Sequence, residues 1–161
     1  KQQLMNLGAE IGSDVPFCIL GETALATGRG EVVSPLPSPP KMWIVLVKPD
    51  FGVSTARVYS LYDHLMFPST SYTNKMINAL NKGEVTNIAT CLGNALEPAT
   101  FSIHSDIRCI KDELLDAGAL GAEMSGSGPT VFAIASDYEH ACYIANIINK
   151  ENRYVVVTST V

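Results

Sequence analysis

Residues 124–135 read MSGSGPTVFAIA, and the run after the glycine turn in this stretch decides the fold. Gly126 and Gly128, alternating with Ser125 and Ser127, let backbone N–H groups converge as an anion would require. A phosphate loop of the Walker or Rossmann type runs directly into a helix, whose N-terminus completes the anion site. Here the turn runs into Val131-Phe132-Ala133-Ile134-Ala135, an apolar run that reads as a strand. This turn is therefore neither a Walker A loop nor a Rossmann turn. Taken alone, the turn reads more plainly as a tight hairpin connection than as an anion loop.

The flanking segments extend the pattern. Before the turn stand a short strand at 122–124 and a helix at 102–117, with Ile103, Ile107, Ile110, Leu114 and Leu115 spaced for one face. After the strand, Asp137 can cap a helix reaching Asn149, with Ala141, Ile144, Ala145 and Ile148 as its buried stripe. YVVVTS at 154–159 closes as a strand. Further upstream, MWIVLVK at 42–48 is a nearly continuous apolar run between prolines, expected as a strand buried on both faces. Helical stretches come next, at 55–64, 73–80 and 85–92. The order strand, helices, strand, strand, helix, strand is that of a split βαβ arrangement, an α+β sandwich.

The segment SPLPSPPK at 34–41 holds four prolines and suits an extended connector. It divides the chain into residues 1–38 and 39–161. The first part reads as a helix over 1–9, a loop at 12–16, a strand at 17–20 (FCIL), and a hairpin of TALAT and EVVSPL around Gly28-Arg29-Gly30. The opening KQQLMNLGAEIG resembles the second half of a helix that began upstream, so a preceding segment is expected.

Composition narrows the function. Of the 161 residues, 47% are hydrophobic and 17% charged, which is the balance of a packed globular protein. The net charge of −5 and the absence of a basic run disfavour nucleic acid and anionic membranes as partners. No apolar run approaches the roughly 18 residues of a membrane span, residues 1–20 lack a signal-peptide pattern, and a cytoplasmic location is expected. Cys18, Cys91, Cys109 and Cys142 lie at irregular spacings in apolar segments and are expected as buried, reduced thiols.

Three places could carry chemistry. Asp14 lies in the rigid loop Gly12-Ser13-Asp14-Val15-Pro16, where a carboxylate serves either as a turn or cap residue or as a general base. The turn at Gly126, Ser127 and Gly128 is the second. The third is Gly52-Val53-Ser54-Thr55 after the strand at 42–48, where an N-cap is the simpler role. His64, His104 and His140 stand far apart and suggest no metal or catalytic cluster, and Glu31 and Glu97 read as surface residues without a partner.

Jointly these stretches are more specific than any one of them. LGAEIGSDVPFCILGETALATGRGE and MSGSGPTVFAI, about 110 residues apart, resemble the corresponding stretches of the erythritol-branch kinases of isoprenoid biosynthesis, in the GHMP superfamily. KPDFGVSTARVYS between them resembles that family's substrate loop. The resemblance implies a GHMP C-terminal domain of ferredoxin-like plan, preceded by the last helix and strands of an N-terminal domain. It further implies transfer of a phosphoryl group from ATP, with Mg2+, to the 2-hydroxyl of a cytidine diphosphate-linked methylerythritol. By the same resemblance Asp14 would be the catalytic aspartate, Thr55 and Tyr59 would contact substrate, and Gly126, Ser127 and Gly128 would lie near the nucleotide phosphates. The family's N-terminal lysine and its glycine- and serine-rich ATP loop would lie before Lys1. Another GHMP kinase, for homoserine or mevalonate, or a non-catalytic binding module are the competing expectations.

Overall fold

The computed structural model describes residues 1–64 and 72–160. Its main body is a four-stranded antiparallel sheet ordered β4-β5-β3-β6, from β3 (Trp43–Pro49), β4 (Gly121–Met124), β5 (Val131–Ala135) and β6 (Arg153–Ser159). β3 is central, with Val45 opposite Ala133 on one side and Val157 on the other. This is the expected split βαβ order.

Side chains alternate across the sheet, so its two faces build different cores. Val45, Val47, Val131 and Ala133 are fully buried on one face beneath α7 (Ser105–Asp116) and α8 (Tyr138–Ile148). Ile107, Ile110 and Leu114 of α7 and Ala141, Ile144 and Ile148 of α8 supply the other half of that core. The opposite face packs Met42, Ile44 and Ile134 against α4 (Thr73–Lys82) and α5 (Val85–Thr90), through Ala79, Leu80, Ile88 and Ala89. Cover there is incomplete, and Ile44 and Leu46 stay half-buried because they line a cleft of about 1230 Å³ shared with Phe17 and residues 23–26. β3 is thus sealed on one face only, where burial on both was expected.

The expected helix at 102–117 is two helices, α6 (Glu97–Ile103) and α7, broken at His104. His104 is extended (φ −141°, ψ 76°), and its ring stacks on Phe51 with centroids 5.2 Å apart. Within α7, Leu115 lies off the stripe of Ile107, Ile110 and Leu114 and is 42% exposed. Asp137 caps α8 as expected, its carboxylate accepting the His140 N–H at 2.8 Å.

Residues 1–38 contain α1 (Gln2–Ile11), α2 (Val15–Leu20) and a hairpin of β1 (Ala24–Thr27) and β2 (Val32–Pro35). FCIL is therefore helical, not a strand. Pro16 in the first turn presets helical φ, and a four-residue apolar run carries no period to separate the two states. α1 and α2 pack at Gly8, where a Cβ would come within 2.8 Å of Val15. The cysteines are free but not buried: Cys18 and Cys109 lie on the outer sides of α2 and α7, and Cys91 and Cys142 are half-buried.

Candidate functional site

The turn after β4 is a hairpin connection closed by its own backbone. Ser125 N–H donates to the Thr130 carbonyl at 2.8 Å, and Gly128 N–H to the Ser125 carbonyl at 2.9 Å. Gly126 (φ 58°) and Gly128 (φ 83°) adopt left-handed conformations, and a Cβ at Gly128 would press within 2.9 Å of Met124 Sδ. The tight hairpin connection, the plainer reading of this stretch, is what the backbone forms.

On its outer side the turn meets the start of α3 (Thr55–His64). Thr55 Oγ1 and Ser127 Oγ are hydrogen-bonded at 2.9 Å, joining residues 72 apart in sequence. Ser54, not Thr55, serves the helix start, its Oγ accepting the Arg57 N–H at 3.4 Å. The Thr55 hydroxyl is left to the turn. Tyr59 lies one helical turn on, on the same side of α3, and is 52% exposed.

On its inner side the turn is held by Asn94 and Thr100, which sequence reasoning did not single out, and by Glu97, which it read as a surface residue. Asn94 Nδ2 donates to the carbonyls of Met124 (2.8 Å) and Gly126 (2.7 Å). Thr100, fully buried, donates its hydroxyl to the Ser127 carbonyl at 3.3 Å. Glu97 Oε1 accepts the Met124 N–H at 3.1 Å, and its Oε2 pairs with Lys111 at 2.6 Å. Lys111 also reaches Glu123 at 2.9 Å. Glu97 is thus no free surface residue. Glu123, a carboxylate in an otherwise apolar strand, was the visible sign that a buried partner existed.

Two carboxylates share one ammonium in this network. Burial works against the charge on Lys111, but its hydrogen bonds to Glu97 and Glu123 outweigh that and raise its pKa. Glu97 has the shorter contact and a backbone N–H besides, so Glu123 is the less well compensated carboxylate. Burial, with the Glu97 carboxylate beside it, pushes Glu123 up to about 7.

Asp14 stands at the N-cap position of α2, exposed, and its side chain makes no capping hydrogen bond. The β1–β2 turn lies against it, since a Cβ at Gly30 would be 3.5 Å from Asp14 Oδ1. Among the described residues no hydrogen bond or ion pair joins Asp14 to Thr55 or Ser127. The structure thus brings together Thr55 and the turn, and leaves Asp14 in a separate loop with its carboxylate uncommitted.

The sheet order and this turn can be set beside those of known proteins. The chain matches the family described as GHMP kinases C terminal over residues 76–153. It is 46% identical over 157 residues to the 4-diphosphocytidyl-2-C-methyl-D-erythritol kinase of Pelotomaculum thermopropionicum, a match covering 98% of this chain and 55% of the relative. The enzyme of the same name from Moorella thermoacetica is 44% identical over 161 residues, covering 98% of this chain and 56% of the relative. The chain spans about half the length of the curated relatives it matches. A crystal structure of a 4-(cytidine 5'-diphospho)-2C-methyl-D-erythritol kinase superposes with a TM-score of 0.78 at 28% identity, over 96% of this chain and 56% of that one. Homoserine kinase from Cytophaga hutchinsonii shares the fold, with a TM-score of 0.74 at 24% identity over 91% of this chain and 50% of that one.

Proposed function

We propose that this chain is the C-terminal portion of a small-molecule kinase that phosphorylates the 2-hydroxyl of 4-diphosphocytidyl-2-C-methyl-D-erythritol at the expense of ATP. The observation that carries the reading is the Thr55–Ser127 hydrogen bond, which unites the substrate-loop stretch with the glycine turn. The names of the relatives specify the alcohol. In this reading residues 1–38 complete an N-terminal domain and residues 39–161 form the C-terminal one. A cytoplasmic location is part of the proposal, because ATP and a nucleotide-linked alcohol are metabolites of that compartment. Among the described residues no helix is long and apolar enough to cross a membrane.

Phosphoryl transfer depends mainly on positioning and on stabilising charge around the phosphates. Asp14, free of capping duty, accepts the proton of the attacking hydroxyl. Thr55 and Tyr59 orient the substrate, Tyr59 by offering its ring to the cytosine. Gly126, Ser127 and Gly128 face the phosphates. Mg2+ would accompany ATP, held through the nucleotide phosphates, where it would neutralise the developing charge.

The test is phosphoryl transfer by the protein extended to the length of its relatives, with the cytidyl substrate, homoserine and mevalonate compared. Turnover with the cytidyl substrate alone is expected. A preference for either other alcohol would replace the substrate, and ATP-independent binding without turnover would replace the class.

A further inference from the structure

Residues 94–100 hold four backbone groups of residues 124–127, and the carbonyls among them have a directional consequence. Asn94 receives none of the turn's donors: it gives its amide hydrogens to the Met124 and Gly126 carbonyls. Its own Oδ1 accepts the Leu96 N–H at 2.9 Å, which fixes which end of the amide faces the turn. Glu97 and Thr100 add the Met124 N–H and the Ser127 carbonyl. In a trans peptide the C=O of one residue and the N–H of the next point to opposite sides. With the Gly126 carbonyl drawn inward to Asn94, the Ser127 N–H must face outward.

The turn's other donors sharpen this. Ser125 and Gly128 N–H groups are consumed by Thr130 and Ser125 carbonyls. Gly126 and Ser127 N–H groups have no acceptor among the described residues. Beside Ser127 N–H stand the Ser127 and Thr55 hydroxyls, themselves paired. Two uncommitted N–H groups next to two hydroxyls make a donor set suited to phosphate oxygens.

We propose that Asn94 is a positioning residue for phosphoryl transfer: by holding the Met124 and Gly126 carbonyls it presents the Ser127 N–H to the phosphates. This rests on the kinase reading above. The role assigned to Asn94 runs through its bonds to the turn. Glu97, anchored by Lys111, and buried Thr100 keep the adjoining backbone in register for it.

Asn94→Asp is the sharpest variant, since it is isosteric and keeps the acceptor for Leu96 N–H while setting a carboxylate oxygen against two carbonyls. In the protein extended to the length of its relatives, kcat for the cytidyl substrate should fall roughly 10-fold to 100-fold, somewhat less than the loss of a direct oxyanion donor. KM for that substrate should hold, because an interaction made mainly in the transition state is lost. In the 161-residue chain the amide resonance of Ser127 should move while those of Val45 and Val47 stay. Asn94→Ala, which removes the donors without adding charge, should give the same split more weakly and serves if the aspartate variant fails to fold. Unchanged kcat in a folded variant, or a Ser127 amide that does not move, overturns the proposal. A fall confined to KM overturns it as well. A wild-type enzyme that transfers no phosphate would instead sink the kinase reading, and the Ser127 amide would still report whether Asn94 orients the turn.

Discussion

Residues 1–38 and residues 42–160 put their apolar side chains to different use. In the second region the apolar periodicity of α7 and α8 ends in fully buried Ile107, Leu114, Ile144 and Ile148. In the first, α1 is equally amphipathic in pattern, yet Leu4, Leu7 and Ile11 are 60%, 59% and 83% exposed, with Phe17 and Val32 also uncovered. Only Met5, Gly8 and Pro16 are buried there. A periodic stripe therefore predicts a helix in both regions but predicts burial only where a partner layer exists. The candidate base Asp14 sits in the region with little core of its own, and Thr55 and Ser127 sit in the region that holds the buried core beneath α7 and α8.

The largest effects should come from that second core. Ile110→Ala, at a site 1% exposed, is expected to cost about 3 kcal/mol in denaturant unfolding, from lost transfer energy and a cavity. Native-state hydrogen exchange should find the slowest amides in β3, β5, α7 and α8. Slowest exchange in residues 1–38 would break the comparison outright.

A smaller effect concerns Glu123 and depends on pH. Its folded pKa of about 7 lies above the ordinary 4.5, so between these values the folded state keeps a proton that the unfolded chain has released. Its contribution is complete below pH 4.5, declines as pH rises, and is lost above about 7. Glu123→Gln imitates the protonated form. It should flatten that decline and stabilise the protein above pH 7 by about 2 kcal/mol, a figure reduced from the full shift for solvent relaxation. Equal pH profiles for the two proteins would remove the buried network from the account.

Glu113 behaves in the opposite sense. Arg153 holds it at 2.6 Å and Lys150 at 3.0 Å, which ties α7 to the start of β6 and to the turn before it. The Arg153 hydrogen bonds lower its pKa to about 2. Its stabilisation is present above pH 4.5 and disappears as pH falls toward 2. Because the carboxylate is one-third exposed, Glu113→Gln should cost only about 0.5 to 1 kcal/mol at neutral pH. Least of all, Leu7→Ala on the uncovered face of α1 should change stability by under about 0.5 kcal/mol in this chain. A cost comparable to that of Ile110→Ala would mean that α1 is covered after all.

How much of the fold is legible in the sequence depends on period and on partner. β5 is legible because an apolar run after the glycine turn leaves no room for a helix. α8 is legible because Asp137, its stripe and its end agree. α2 reads wrongly as a strand because Phe17-Cys18-Ile19-Leu20 is too short to show a period, and the break at His104 is hidden because the apolar spacing crosses it with little interruption. At the site, resemblance points to Thr55 and Ser127, but their contact cannot be seen across 72 residues. Asn94 and Thr100 escape notice, and Glu97 reads as a surface residue, for a different reason. Each acts on backbone groups of a distant strand, and backbone acceptors leave no mark in a sequence.

The central claim is that the uncommitted carboxylate of Asp14 serves chemistry, and single-turnover kinetics on the protein extended to the length of its relatives tests it most directly. Asp14→Asn should lower the rate of phosphoryl transfer by roughly 10²-fold or more, with substrate binding and melting temperature little changed. Asp14→Ala, which also removes the orienting hydrogen bond, should lose at least as much. A folded Asp14→Ala enzyme with a near-normal transfer rate would contradict the account.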